Sequence, residues 1–316
     1  MEKEDFLGKY RHISNKLKKR FLKKPNVAEG SEQFASLGKT LKQQECPQYA
    51  GLCYLAQARC EHTIASSPGE AQALTHAARE FFEAERMDQD HRCVSYEEHI
   101  NAALNCYGHA IRVHIEAKQT CLAASLCLEL GNTLMKMGKC HEAIPHFQRA
   151  AELQIQSPLE CLHTMGRVAT CKISTGDCEG ALTVFTEMAY LVEERGGCSI
   201  SGKPLGAFSD ILARCEITRV LLLMLLQPTP QRIRPEYAQL LERYSWESTD
   251  ENTPVNYLNE DLFLLLQSVV MACQSKDLNS IRLLQTELWP HLSAEQNEIL
   301  HLVIEELSHL SDLGLN

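Results

Sequence analysis

The stretch CLELGNTL, Cys127–Leu134, is followed by AIPHF, Ala143–Phe147, and then by Pro158. A large residue, Leu-Gly and a second large residue lead to Ala-x3-Phe and a closing proline. Each position has a packing reason. Gly131 and Ala143 are small enough to let two helices approach closely, while Leu130, Leu134 and Phe147 fill the seam. The next segment repeats the design imperfectly, with Leu162, Met165-Gly166 and Ala169, then Ala181-x3-Phe185. Gly131 and Gly166 are 35 residues apart but Ala143 and Ala181 are 38 apart, so the second turn is longer. Elsewhere only faint echoes occur, such as Ala103-x3-Tyr107. A hairpin that recurs in this way buries its apolar side against its neighbours and not in one central core.

This is tetratricopeptide spacing, and the remaining segments agree with it. Ala, Leu, Glu, Gln, Lys and Met dominate, and β-branched runs of period two are absent. The periodicity predicts helices at about 4–23, 27–45, 48–66, 69–88, 93–117, 119–137, 140–156, 159–175 and 177–195, then at about 207–226, 231–244, 258–275, 277–290 and 293–309. Connections of two to five residues make neighbours antiparallel. At 316 residues the chain is at or beyond the size where one compact core stops growing. The expected architecture is therefore all-α, an irregular tetratricopeptide-like α-solenoid of antiparallel helical hairpins. It is read as a single elongated domain over 1–316, with its clearest repeats in 119–195 and short linkers at 196–206 and 245–257.

The same pass excludes several classes of function. The N-terminal MEKEDFLGKYRH lacks the apolar run of a secretory signal, and the longest apolar run, VLLLMLL at Val220–Leu226, is far short of a bilayer span. A non-secreted chain is expected, with its 14 cysteines reduced; no C-x-x-C pair occurs among them. Many sit among Ala and Leu, as in CLAASLCLEL, where a thiol serves as a small hydrophobe. A pI near 5.7 opposes broad neutralisation of nucleic-acid phosphates. HEAIPH resembles a zinc-protease helix, but His141 and His146 are five apart where one helical face needs four, and Pro145 intervenes. GGCSISG lacks the second glycine of a nucleophile elbow, and no phosphate-binding glycine loop occurs. The chain is read as a binding surface with no catalytic residue, cofactor or metal.

One segment stands apart. In SNKLKKRFLKKPN, Ser14–Asn26, six of the first eleven residues are basic. Residues 1–24 carry nine Lys/Arg against three Asp/Glu, a net +6 that leaves −16 on the remainder of a chain of net −10. Phe6, Tyr10, Ile13, Leu17 and Phe21 recur at steps of three and four and form one apolar stripe, which makes 1–24 a basic amphipathic helix. Its cations have four readings: the solvated face of a capping helix, a docking surface for an acidic protein, a contact with anionic membrane, or a nuclear-import tract. The first two are compatible and are favoured together. Lys16, Lys18, Lys19, Arg20, Lys23 and Lys24 are the candidate contacts there. Tyr244 and Trp246, in the RYSWES break, and Trp289, in ELWP, are candidate aromatic anchors, with core packing before Pro290 the alternative for Trp289.

SNKLKKRFLKKPNVAE resembles the N-terminal segment of the huntingtin-associated protein family encoded within a factor VIII intron. LGAFSDILARCE, RVLLLMLLQP, ERYSWES, LFLLLQSVVMA and LWPHLSAEQN follow in the same order, and the likeness is weakest over about 48–118. Where that family would carry a long proline-rich insertion, GGCSISGKP has the single Pro204. The resemblance implies a helical, cytoplasmic adaptor that forms a stabilising heterodimer with huntingtin. It also implies recruitment of that complex by an early-endosomal Rab GTPase, which adds the early endosome to its expected locations; the basic tract adds the nucleus. The main alternative is an attachment adaptor of the vesicle-fusion type that recruits an ATPase; the C-terminal EELSHLSDLGLN offers no block that matches it.

Overall fold

The computed structural model describes residues 6–18, 25–197, 204–229, 231, 233–245, 255 and 257–312. Among these the chain forms fourteen helices and no strand: α1 (Phe6–Lys16), α2 (Val27–Gln43), α3 (Pro47–Thr63), α4 (Ser67–Asp90), α5 (Glu98–Glu116), α6 (Thr120–Lys136), α7 (Cys140–Leu153), α8 (Pro158–Ser174), α9 (Cys178–Arg195), α10 (Ala207–Leu226), α11 (Pro235–Glu242), α12 (Glu260–Gln274), α13 (Leu278–Leu288) and α14 (Ala294–Asp312). The fold class is the expected irregular tetratricopeptide-like α-solenoid. Helix α1 is shorter than its periodicity suggests, ending at Lys16 in a turn through Leu17 and Lys18. The chain divides into two compact units, Met1–Thr133 and Leu134–Asn316.

The helices start and stop on local chemistry. Asn26 Oδ1 accepts the Glu29 N–H at 3.2 Å, Asp177 Oδ1 accepts that of Gly180 at 2.9 Å, and Pro47, Pro158 and Pro235 open α3, α8 and α11. Gly138 and Gly176 adopt φ of 76° and 80° just past α6 and α8, a left-handed turn that costs glycine nothing. The same turn is made by Glu45, Ala65, Lys118 and Lys276, at φ between 55° and 58°. Those side chains offer no sequence signal for it.

In the first unit, α2 packs on α3, α3 on α4 and α4 on α5. Two seams close with a ring over a glycine. A Cβ on Gly38 would lie 3.0 Å from Tyr54 Cε1, and one on Gly51 would lie 2.9 Å from Phe81 Cε1. The long helix α4 also presents carboxylates to its neighbours. Buried Glu80 pairs with Lys42 of α2, while buried Glu70 meets His62 of α3 and His109 of α5. Arg79 grips Glu129 through two bonds of 2.6 and 2.8 Å, and buried Tyr107 donates to the same carboxylate at 2.8 Å. Burial would raise the Glu129 carboxyl, but the donors Arg79 and Tyr107 hold it below its ordinary value.

In the second unit, α7, α8 and α9 stack in turn, and α9 leads to α10. From there the order changes. Helix α10 receives contacts from α8, α9, α11, α12 and α14, because most of its length is apolar: Leu212, Cys215, Ile217 and Val220–Met224 are all buried. VLLLMLL is thus a core segment, and no described helix is long and apolar enough to cross a membrane. The cysteines behave as hydrophobes. Burial pushes Cys53, Cys215 and Cys273 up to about 12, and no disulfide links the described cysteines.

Candidate partner-binding surfaces

The apolar stripe of α1 faces inward. Ile13 joins Phe34, Ala56 and Cys60, with Tyr10 and Leu17 packed against them. The Tyr10 and Phe34 rings lie 5.2 Å apart, and Phe6 meets Tyr49 of α3 at 4.6 Å. With that face occupied, the cations point outward: Lys9, Arg11, Lys16 and Lys18 are exposed. Lys16 Nζ donates to Gln33 Oε1 at 3.3 Å, a surface bond of small weight. No acidic residue occurs in α1, so its outer face is uniformly positive. Lys19, Arg20, Lys23 and Lys24 lie outside the described residues, as does Trp246.

Tyr244 is a correction. It is fully buried, stacked on Phe263 with centroids 4.9 Å apart, and its hydroxyl donates to Glu216 Oε1 at 3.3 Å. Burial, and then the Glu216 charge, push its phenol far above the ordinary range. Arg243 (3.5 Å) and Arg219 (3.8 Å) balance the buried Glu216 carboxylate. A residue so enclosed tethers the end of α11 to α10 and cannot be a surface anchor. Its position beside a sequence break pointed outward, but the buried Glu216 on α10 gave the hydroxyl a partner inside.

Trp289 goes the other way. It is 61% exposed at the C-terminus of α13, which rules out core packing. Asn297 Nδ2 donates to the carbonyls of both Trp289 and Leu292 at 3.3 Å, so the backbone that carries the indole is held in place. Leu283 of the same helix is 72% exposed, and Arg282 and Thr286 are exposed as well. On α12, Leu264 and Met271 are also exposed and, seven residues apart, share one face. Leu283, Leu264 and Met271 escaped the sequence reading. The signal for Leu283 existed: Ile281, Leu284 and Leu288 form the inward stripe of α13, and Leu283 falls out of phase with it.

Among the described residues, no group of three or more His, Cys, Asp or Glu is placed to hold a metal ion. What the geometry offers is contact area: a cationic α1 in the first unit, and in the second exposed aliphatic side chains on α12 and an exposed Leu283 and Trp289 at α13.

Comparison with known proteins points to the same kind of work. The family model described as soluble NSF attachment protein, SNAP, matches residues 14–195. The 40-kDa huntingtin-associated proteins of Mus musculus and Rattus norvegicus are each 44% identical over 365 aligned positions, covering 99% of this chain and 96% of each relative. The alignment exceeds the 316 residues of the chain, so those relatives carry residues that are missing here. Among solved structures, a Rap protein complexed with competence and sporulation factor covers 96% of this chain at 15% identity, and 74% of its own length is matched. Its TM-score is 0.42, which carries no argument.

Proposed function

Because the chain belongs to the family of the 40-kDa huntingtin-associated protein, and carries the soluble NSF attachment protein pattern over residues 14–195, we propose that it is a non-enzymatic adaptor that binds and stabilises huntingtin as a heterodimer. The observation that carries this reading is the 44% identity over 99% of the chain. The exposed Trp289 and Leu283 supply a physical means, since large apolar side chains on a fixed backbone make efficient anchors at an interface. In this reading α1 caps the first unit with its stripe and offers its cations to acidic groups of a partner. The complex would work in the cytoplasm and at early endosomes, recruited there by a Rab GTPase.

The test is reconstitution from purified components. The chain and huntingtin should co-elute as one species, and Trp289→Ala with Leu283→Ala should weaken capture by about tenfold or more. A failure of the wild-type chain to co-elute with huntingtin sinks the reading. A second reading rests on the family match over 14–195: an attachment adaptor for an NSF-type ATPase. The match stops before α10, so it leaves α10–α14 without a role. Capture of the ATPase and not of huntingtin would favour it.

A further inference from the structure

The most exposed large apolar side chains of the described surface lie in neither of those places. They are Val94 (79%) and Tyr96 (83%), in the link between α4 and α5. Ordinary loops carry polar tips, so two such residues two positions apart call for a reason.

The link is held in one shape. At its start Arg92 takes the left-handed conformation, φ 55°, and the Cys93 N–H donates to Asp88 O at 2.8 Å. At its end Glu97 is left-handed too, φ 62°; its N–H donates to Ser95 Oγ at 3.0 Å, and the Tyr96 N–H donates to Glu98 Oε2 at 3.1 Å. The Asn101 N–H then bonds Glu97 O at 2.9 Å to begin α5. Two non-glycine residues in a conformation that disfavours them, with backbone donors satisfied locally, describe a segment whose shape is set before anything binds. A preorganised loop spends little entropy on docking.

The charges around it have one sign in excess. In sequence, Glu83, Asp88, Asp90, Glu97 and Glu98 surround the segment, against Arg86 and Arg92. Arg86 is already committed to Glu83 and Asp90, at 2.5 and 2.6 Å. We infer that the Cys93–Tyr96 segment is a second docking surface, on which Val94 and Tyr96 enter an apolar pocket of huntingtin that is bordered by lysine or arginine side chains. The inference rests on the huntingtin reading above. The occupant is chosen by complementarity: apolar knobs within an acidic rim match an apolar pocket within a basic one.

The experiment compares wild type with Val94→Ser/Tyr96→Ser. Both side chains are mostly in solvent, so the melting temperature should not move. Affinity for purified huntingtin should fall by about tenfold or more, and wild-type binding should weaken as salt is raised. Cys93, exposed immediately before Val94, gives an independent readout: its alkylation rate should drop when huntingtin is bound. A wild-type chain that fails to bind huntingtin overturns the functional reading itself. A wild-type chain that binds, with the double variant equally tight and Cys93 still reactive, overturns this surface alone. Protection of Cys93 in the isolated chain as its concentration rises would assign the surface to a second copy and overturn the inference as well.

Discussion

Helices α2–α5 and α10–α14 solve one problem in two ways. In the first set each helix lies against the one before it, and close approach is achieved by setting an aromatic ring over a glycine, Tyr54 over Gly38 and Phe81 over Gly51. In the second set, α11, α12 and α14 gather on α10, which is mostly apolar and buried along much of its length. The polar groups follow the same division. Buried carboxylates of α4 pair outward with bases on flanking helices, whereas Glu216 of α10 is enclosed with Arg219, Arg243 and Tyr244. The contrast shows what a repeat requires. Neighbour-on-neighbour stacking needs a narrow apolar stripe and small residues at fixed spacing; a central helix needs only length and apolar content. Local patterns that define repeats fade where the central helix takes over.

That contrast can be broken by mutation, and the largest effect should come from α10. Leu222 is fully buried on the helix that α9, α11, α12 and α14 share. Leu222→Ala should cost about 2–5 kcal/mol, and hydrogen exchange should show protection lost across α10–α14 together. Loss confined to one neighbouring helix would mean that α10 does not organise that region.

A smaller effect should separate two glycines. Gly51→Ala places a Cβ 2.9 Å from the Phe81 ring, an overpacking of about 1–3 kcal/mol set against about 1 kcal/mol gained in helix propensity. A net loss of up to about 2 kcal/mol is expected in chemical denaturation. Gly166→Ala meets only Arg214 at 3.5 Å and Met188 at 3.9 Å, ordinary contact distances, so it should stabilise by up to about 1 kcal/mol. Equal effects at both sites would refute the idea that the first unit depends on tighter seams.

Acidification should weaken both units, through one histidine in each. Burial, then Arg79 and Lys42, hold His76 of α4 below its ordinary 6.5; burial does the same to His146 of α7. A histidine whose folded pKa is depressed refuses a proton that the unfolded chain accepts. Stability is therefore complete above about pH 6.5 and declines as pH falls below it. Melting curves between about pH 7.5 and 5.5 should show the decline. His76→Gln should flatten it for the first unit only, and His146→Gln for the second only. A rise in melting temperature on acidification would reverse the sign and sink the prediction.

The mildest probe is alkylation without denaturant. Cys93 and Cys121 are the exposed thiols among the described residues and should react first, while Cys53, Cys106 and Cys215 wait for unfolding because burial holds them at about 11–12. Prompt labelling of Cys215 would show that α10 does not lie in a closed core.

Much of this was legible in the chain, and the reason is that helices are local. Periodicity marks most elements within a few residues, because amphipathic phase acts over one or two turns, and the caps that the structure shows at Asn26 and Asp177 are equally local. The aromatic stripe of α1 was readable for the same reason, and its inward packing follows from it. The left-handed turns at Ala65 and Lys118 carried no signal, since the turn is imposed by the packing of the flanking helices. Aromatic exposure was legible least. Tyr244 and Trp289 both sit at helix ends beside breaks, yet one is sealed by Glu216 and Phe263 and the other stands in solvent. Local sequence decides which residues are helical, because a turn of helix closes its own hydrogen bonds. Which aromatic is covered depends on helices far along the chain, and only the tertiary structure brings those to it.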